Sequence, residues 1–263
     1  MHFEIRRKNV PVNDASKTIA LLNNRVSVRS YKNTPVPEEL IDQVLKAAFR
    51  APTSSNIQTY SVIIVQDPVL RKQLAAVAGG QPHVEKAPVF LAFCADLTRL
   101  EYALAKNGHT LVDNNLEVGL VASIDAALVG MSTYLAAGSV GLKGVMIGAL
   151  RNDAVATARI LGLPSQVYCV FGMCLGFPDE VPPQKPRMDY STMVHYERFG
   201  ALRDNRDTGT SLDDYDAALE AHYKNIGVPT TPDSWTHDMD SKFSPQLREG
   251  LREQLKQQGF DFR

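Results

Sequence analysis

Cysteine is scarce in this chain of 263 residues, with only Cys94, Cys169 and Cys174. An odd count without C-x-x-C spacing excludes a disulfide framework and a cysteine zinc site, so no metal centre is expected. All three lie in apolar runs, where a small buried thiol is the ordinary outcome. An excess of either charge is also lacking. Lys and Arg number 28 against 29 Asp and Glu, so no global basic field favours nucleic acid or an anionic membrane, and the expected partner is a small molecule. No uninterrupted apolar stretch reaches the roughly 18 to 20 residues that span a bilayer. The basic start, from Met1 to Lys8, has no apolar run of signal-peptide length behind it, so a cytoplasmic protein is expected. Neither G-x-x-x-x-G-K-[ST] nor H-E-x-x-H occurs, a Ser-His-Asp order is missing, and so is Gly-rich Rossmann spacing. No repeat or low-complexity segment is present.

With 44% hydrophobic residues the chain can bury a sizeable core in one domain or two small ones. The spacing predicts a first helix over 14–24 with Asp14 as its N-cap and Ile19, Leu21 and Leu22 on its apolar side. A second opens at Pro37, buries Leu40, Ile41, Val44, Leu45 and Ala48, and stops at Pro52. Strands are predicted over 60–66, 89–95, 143–147 and 167–175, and a helix from Asp67-Pro68 to Gly79-Gly80. The segment 114–137 reads as a long helix with Leu116, Leu120, Ile124, Ala127, Leu128, Met131 and Leu135 on one stripe. Because Val118, Val121 and Val129 lie off that stripe, it is predicted to be central and buried. Asn152 is the predicted cap of a helix through Leu161, and two amphipathic helices are predicted over 212–225 and 244–258. With no regular β-α-β alternation, the fold class is α+β.

The stretch that organises the chain is Arg25-Val26-Ser27-Val28-Arg29. Two arginines bracket a serine at a spacing that puts all three side chains on one side of an extended backbone, which suits a phosphate or another flat anion. Single basic residues ordinarily make surface ion pairs, so the reading depends on three further stretches. These are Ser54-Ser55-Asn56-Ile57-Gln58, the run from Gly144 to Asn152, and Lys185-Pro186-Arg187. The first is a polar loop after a helix end, open to plain turn chemistry as well as to a ligand. In the second, Gly148 allows the main chain to approach a flat ring closely, or simply serves a strand-to-helix turn.

With these motifs in this order, the sequence from about residue 20 to 263 resembles the nitroreductase and flavin reductase family. It looks most like the branch of oxygen-insensitive NADPH nitroreductases and flavin reductases. The resemblance implies a central, mostly antiparallel sheet flanked by helices, in an intertwined homodimer with FMN at the subunit interface. It implies three segments: 1–22 as an N-terminal extension, 23–200 as the FMN-binding core, and 201–263 as a C-terminal helical extension of the same domain. Arg25, Ser27, Lys185 and Arg187 then hold the phosphate and ribityl end, with Val26 in the same strip. Arg29 becomes the cation beside flavin N1 and the C2 carbonyl, where reduction places negative charge. Ser54, Ser55, Asn56 and Gln58 contact the pyrimidine edge, Gln81 bonds the ring, and the amides of Gly148 and Ala149 point toward N5. Met146 and Ile147 pack on the ring, and His83 is a structural histidine.

The implied activity is an FMN-dependent, ping-pong, two-electron reduction of nitroaromatics, quinones or flavins by NADPH or NADH. A dedicated reductase supplying reduced FMN to a monooxygenase, and a non-catalytic FMN-binding regulatory module, are the alternatives. One departure concerns the donor. The segment from Ile226 to Pro232 lacks the arginines that grip NADPH in the branch, and Lys224, Arg203 and Arg206 are the nearest substitutes.

Overall fold

The computed structural model describes residues 16–111, 116–200, 207–228 and 235–262; Asp14, Arg203, Arg206 and positions 229–232 lie outside them. The described chain begins with α1 (Lys17–Asn23), α2 (Glu38–Ala48), β1 (Tyr60–Ile64), α3 (Pro68–Val77) and α4 (Pro82–Lys86). It continues through β2 (Val89–Asp96), α5 (Thr98–Lys106), α6 (Leu116–Ser139), β3 (Lys143–Ile147), α7 (Ala154–Leu161) and β4 (Val167–Gly176). Four helices follow: α8 (Tyr190–Met193), α9 (Thr208–Asn225), α10 (Trp235–Phe243) and α11 (Leu251–Gln257). Short 3-10 turns occupy Ser54–Asn56 and Gly148–Asp153.

The four strands form one antiparallel sheet in the order β1-β2-β4-β3, as the α+β reading required. The two inner strands are buried almost throughout. Their alternate residues feed two cores. Phe90, Ala92, Cys94, Val145, Ile147 and Cys174 pack toward α3, α4 and the turn after β3. Leu91, Phe93, Phe171, Met173 and Leu175 pack toward α2 and α6, with Phe93 stacked on Phe171 at 5.0 Å.

Helix α6 is long and apolar enough to cross a membrane by length and composition, with mean hydropathy 1.5. Its two faces are nevertheless distinct. Small residues face the sheet, including Ala122, Ala126, Val129, Thr133 and Ala137, and among them Asp125 is fully buried. The stripe of Leu116, Leu120, Ile124 and Leu128 is exposed, with Ile124 at 54%. Within one chain the helix is central but buried on one face only: the face that closes on the sheet is the small one, because small side chains let the helix approach it.

Other local differences have identifiable causes. Ser16 caps α1 by accepting from the Ile19 amide. Asp153, not Asn152, caps α7 through the Ala156 amide at 2.8 Å. The Asn152 side chain instead donates to the Val77 carbonyl oxygen and accepts from Arg248 Nε. The helix predicted over 244–258 is broken: α10 ends at Phe243, Pro245 cannot donate to a continuing helix, Arg248 is left-handed at φ 54°, and helix resumes at Leu251. Gln81-Pro82-His83 opens α4, since proline suits a first helical turn.

Candidate functional site

Residues 25–29 run in extended form beside β3. Val26 and Val28 point into the protein while Arg25, Ser27 and Arg29 are on the outer side, the alternation that a period of two demands. The Val28 amide donates to the Gly144 carbonyl oxygen at 3.0 Å. The Tyr134 hydroxyl, from α6, reaches the carbonyl oxygens of Val26 at 2.6 Å and Gly144 at 3.2 Å. Burial pushes the Tyr134 phenol upward against the lowering influence of Arg25, which keeps it a neutral donor. Tyr31 adds a hydroxyl bond to the Val28 carbonyl oxygen at 2.7 Å. Val26, predicted to touch the cofactor, therefore has its side chain in the core and its carbonyl occupied. It supports the strip from behind.

The proline-rich loop after β4 closes over this strip. Gln184 Nε2 donates to the carbonyl oxygens of Asn23 at 2.7 Å and Arg25 at 3.0 Å, which holds Lys185 and Arg187 opposite Arg25. Between them lies a cavity of about 190 Å³ lined by Arg25, Ser27, Arg29, Gln184, Lys185 and Arg187. Its cations meet neutral oxygens. Arg25 donates to Ser27 Oγ at 3.5 Å, Lys185 to the Tyr223 hydroxyl at 2.6 Å and Arg187 to the Pro186 carbonyl at 3.1 Å. Among the described residues none of the four pairs with a carboxylate. Four uncompensated cations and a hydroxyl converging on one cavity form a donor set that fits a phosphate dianion. A larger cavity of about 280 Å³ between α2 and the β1–β2 end has Glu38 and Asp42 in its lining, a sign of charge that repels phosphate.

The ring-side residues lie along β3 and beyond it. The Cys174 thiol donates to the His83 carbonyl oxygen at 3.3 Å, and Cys174 pairs with Val145, so the start of α4 sits near the middle of β3. Arg29 reaches this segment electrically: after burial, its charge is the second influence lowering the His83 imidazole. Gln81 is half-buried and does not spend its side chain on capping α4.

Met146 and Ile147 cannot both cover one ring, because consecutive strand residues face opposite sides of a sheet. Ile147 is 2% exposed within the core, whereas Met146 is 40% exposed, so the prediction for the Ile147 side chain is corrected and Met146 is the one presented outward. Gly148 starts the 3-10 turn, where the first amides have no acceptor within the turn. Its φ is outside the left-handed region, and an added Cβ would lie no nearer than 3.4 Å to the Arg151 guanidinium. Among the described residues nothing demands glycine here. Ala149 follows, half-buried, in the same turn.

The predicted polar loop is somewhere else. Ser55, Asn56 and Gln58 have φ of 47°, 57° and 53°, a run of left-handed non-glycine residues held by outside bonds. Asp125 accepts from the Ser54 amide at 3.1 Å and from the Thr59 amide and hydroxyl at 3.1 and 3.0 Å. Arg99 donates to the carbonyl oxygens of Gln58 and Tyr60 and is itself paired with Asp96 at 3.0 Å. This loop precedes β1, at the opposite edge of the sheet from β3. Three strand spacings separate the edges, roughly 14 Å. Along the strands, Tyr60 is level with Ala95 and Tyr168 while Gly144 is level with Leu175, a further offset of roughly 20 Å. Within one chain, Ser54–Gln58 do not meet Arg25–Arg29.

Sequence reasoning missed Tyr134, Gln184, Asp125, Arg99 and Tyr223. Only Asp125 carried a signal, as a carboxylate within a small-residue apolar helix, where burial without partners is prohibitive.

The sequence model of the Nitroreductase family matches residues 22–177, and that of the Nitroreductase family, C-terminal domain, matches 185–263. An FMN reductase [NAD(P)H] of Bacillus subtilis is 34% identical over 249 residues, covering 93% of this chain and 98% of its own. An oxygen-insensitive NADPH nitroreductase of Salmonella typhimurium is 33% identical over 245 residues, covering 93% and 98%. Among solved structures, the NADPH:FMN oxidoreductase of Vibrio harveyi complexed with NAD+ superposes with a TM-score of 0.84 at 30% identity, covering 94% of this chain and all of the other.

Proposed function

We propose, on the premise that this chain belongs to the nitroreductase family, that it is an FMN-dependent NAD(P)H oxidoreductase reducing small flat acceptors two electrons at a time. Nitroaromatics, quinones and free flavin are the acceptor classes. The observation that carries the reading is the cavity in which Arg25, Arg29, Lys185 and Arg187 converge with no carboxylate from the described residues in its lining. Bound FMN supplies the hydride-accepting and hydride-donating chemistry.

The chain's own residues bind, orient and screen. Arg25, Ser27, Lys185 and Arg187 hold the phosphate. Arg29 presents a cation where reduction leaves negative charge, which favours the reduced form. Gln81 and the amides of Gly148 and Ala149 orient the ring, and the absence of a side chain at Gly148 leaves room for it. Met146 covers it on the β3 side. One shallow place over the ring serves donor and acceptor in turn, which predicts parallel double-reciprocal plots.

In this reading Ser54, Ser55, Asn56 and Gln58 reach the pyrimidine edge from a second copy of the chain. Two features support a homodimer. The loop lies at the wrong edge of the sheet to close on its own chain's Arg25, and α6 exposes a continuous stripe of Leu116, Leu120, Ile124 and Leu128. We place residues 23–200 in the FMN-binding core, 201–263 in its helical extension and the protein in the cytoplasm.

The test is an anaerobic absorbance titration of the purified protein with NADPH and, separately, with NADH. A yellow protein bleached by either donor is the expected result, and the relative rates assign the donor. A protein that stays colourless after FMN is added, or that binds FMN and is reduced by neither donor, overturns the reading. The similarity to an FMN reductase favours free flavin as one acceptor. Turnover far higher with free flavin than with nitrofurans or quinones would mark a dedicated flavin reductase.

A further inference from the structure

We propose that Tyr223 is a positioning residue of the cofactor site: its hydroxyl and ring fix the Lys185 ammonium at the rim of the four-cation cavity so that the remaining N–H bonds serve the phosphate. This rests on the reading of that cavity as the FMN phosphate site. Lys185 Nζ donates to the Tyr223 hydroxyl at 2.6 Å and lies 4.8 Å from the centre of the Tyr223 ring. An ammonium has three donors, so one is committed and two are left.

The chemistry of the partner matters. A carboxylate in place of the phenol would hold the lysine equally well, but its charge would cancel the field that the phosphate meets and compete for the same N–H bonds. A neutral hydroxyl fixes the side chain and leaves its charge intact. The benefit is preorganisation, because a free lysine loses rotamer freedom when it is immobilised. Here that loss is met during folding, before the cofactor arrives.

The contact is built into a helix face. Tyr215, Leu219 and Tyr223 are spaced by four residues on α9, so they share one side of it. The Tyr215 hydroxyl donates to the Pro186 carbonyl oxygen at 3.2 Å, next to Lys185, and Leu219 is buried between the two tyrosines. Tyr-Leu-Tyr thus lies along the Lys185-Pro186 segment, and α9 anchors the basic loop at two points. Just past the end of α9, the Val228 amide donates to the Tyr223 carbonyl oxygen at 3.2 Å.

The experiment compares FMN with riboflavin, which lacks the phosphate, in the full-length protein and in Tyr223→Phe, with Tyr223→Met as a second variant that also removes the ring. Dissociation constants are measured by flavin fluorescence at low and high salt. For Y223F we expect FMN binding to weaken about tenfold, the scale of one hydrogen bond to a charged group. Riboflavin binding should stay within about twofold, the deficit should shrink at high salt, and Y223M should show at least the same FMN-specific loss. In a double-mutant cycle, Tyr223→Phe should cost little in a Lys185→Met background, where no ammonium is left to position. Unchanged FMN affinity in both variants, or an equal loss for FMN and riboflavin, overturns the inference while leaving the function standing. A wild-type protein that binds FMN no better than riboflavin overturns the phosphate reading itself.

Discussion

The Tyr134 hydroxyl donates to the Val26 carbonyl oxygen at 2.6 Å, tying the C-terminal part of α6 to a residue 108 positions earlier in the chain. The bond fixes the strip whose outer side chains are Arg25, Ser27 and Arg29. Tyr134→Phe should cost about 1 kcal/mol of stability in urea denaturation, the net value of one such bond. FMN affinity should fall about three- to tenfold, because the arginines are no longer held in register. Equal FMN affinity in the two proteins would show that the strip is held without the hydroxyl.

Removing a phosphate donor should have a different signature. Arg25→Ala should weaken FMN by about tenfold or more with little change in folding stability, since a hydrogen bond to a charged group is worth roughly 1.5 to 3 kcal/mol. Titrations at rising salt check this. The deficit should narrow as screening weakens the wild-type advantage.

Gly148→Ala separates a structural glycine from a functional one. The added methyl lies 3.4 Å from Arg151 Nη2 and the backbone is not left-handed, so the melting temperature should stay level or rise slightly. Flavin occupancy and the rate of reduction should fall sharply, because the ring loses its close approach to the main chain. A destabilised protein with normal flavin content would assign the glycine to the fold.

Asp125→Asn replaces an oxygen with an NH2 group facing backbone amides that need an acceptor. The loss should be about 2 to 3 kcal/mol by chemical denaturation. Disorder should spread through the loop from Ser54 to Gln58, and faster amide exchange at Ser54 and Thr59 should report it.

Asp96 predicts an acid-side loss of stability. Burial by itself raises its pKa, but hydrogen bonds from Ser61 and Thr98 and the charge of Arg99 outweigh it, and the carboxyl is held below its ordinary value. A depressed folded-state pKa means the stabilisation is fully present above the unfolded value of about 3.9 and disappears as pH falls through the folded value. Denaturation midpoints measured downward from pH 5 should therefore drop more steeply for the wild type than for Asp96→Asn.

Much of this protein was legible in its sequence because the signals were local. Alternation in Arg25–Arg29 placed three polar side chains on one side of an extended strip, and Val26 and Val28 took the other. Short apolar runs located the strands, and three- and four-residue spacing located the buried face of α2. Where prediction failed locally, a competing local partner had won, as when Asp153 took the cap expected of Asn152. The long-range facts were of another kind. Nothing in the order of residues says that Tyr134 grips Val26, that Asp125 holds Ser54 and Thr59, that Tyr223 meets Lys185, or that Ser54–Gln58 end on the far edge of the sheet from Gly144. Side-chain direction along a strand or helix follows from backbone geometry, which the sequence alone determines over a few residues. Which distant groups then share a cavity depends on strand order and helix docking, and only the tertiary structure decided that.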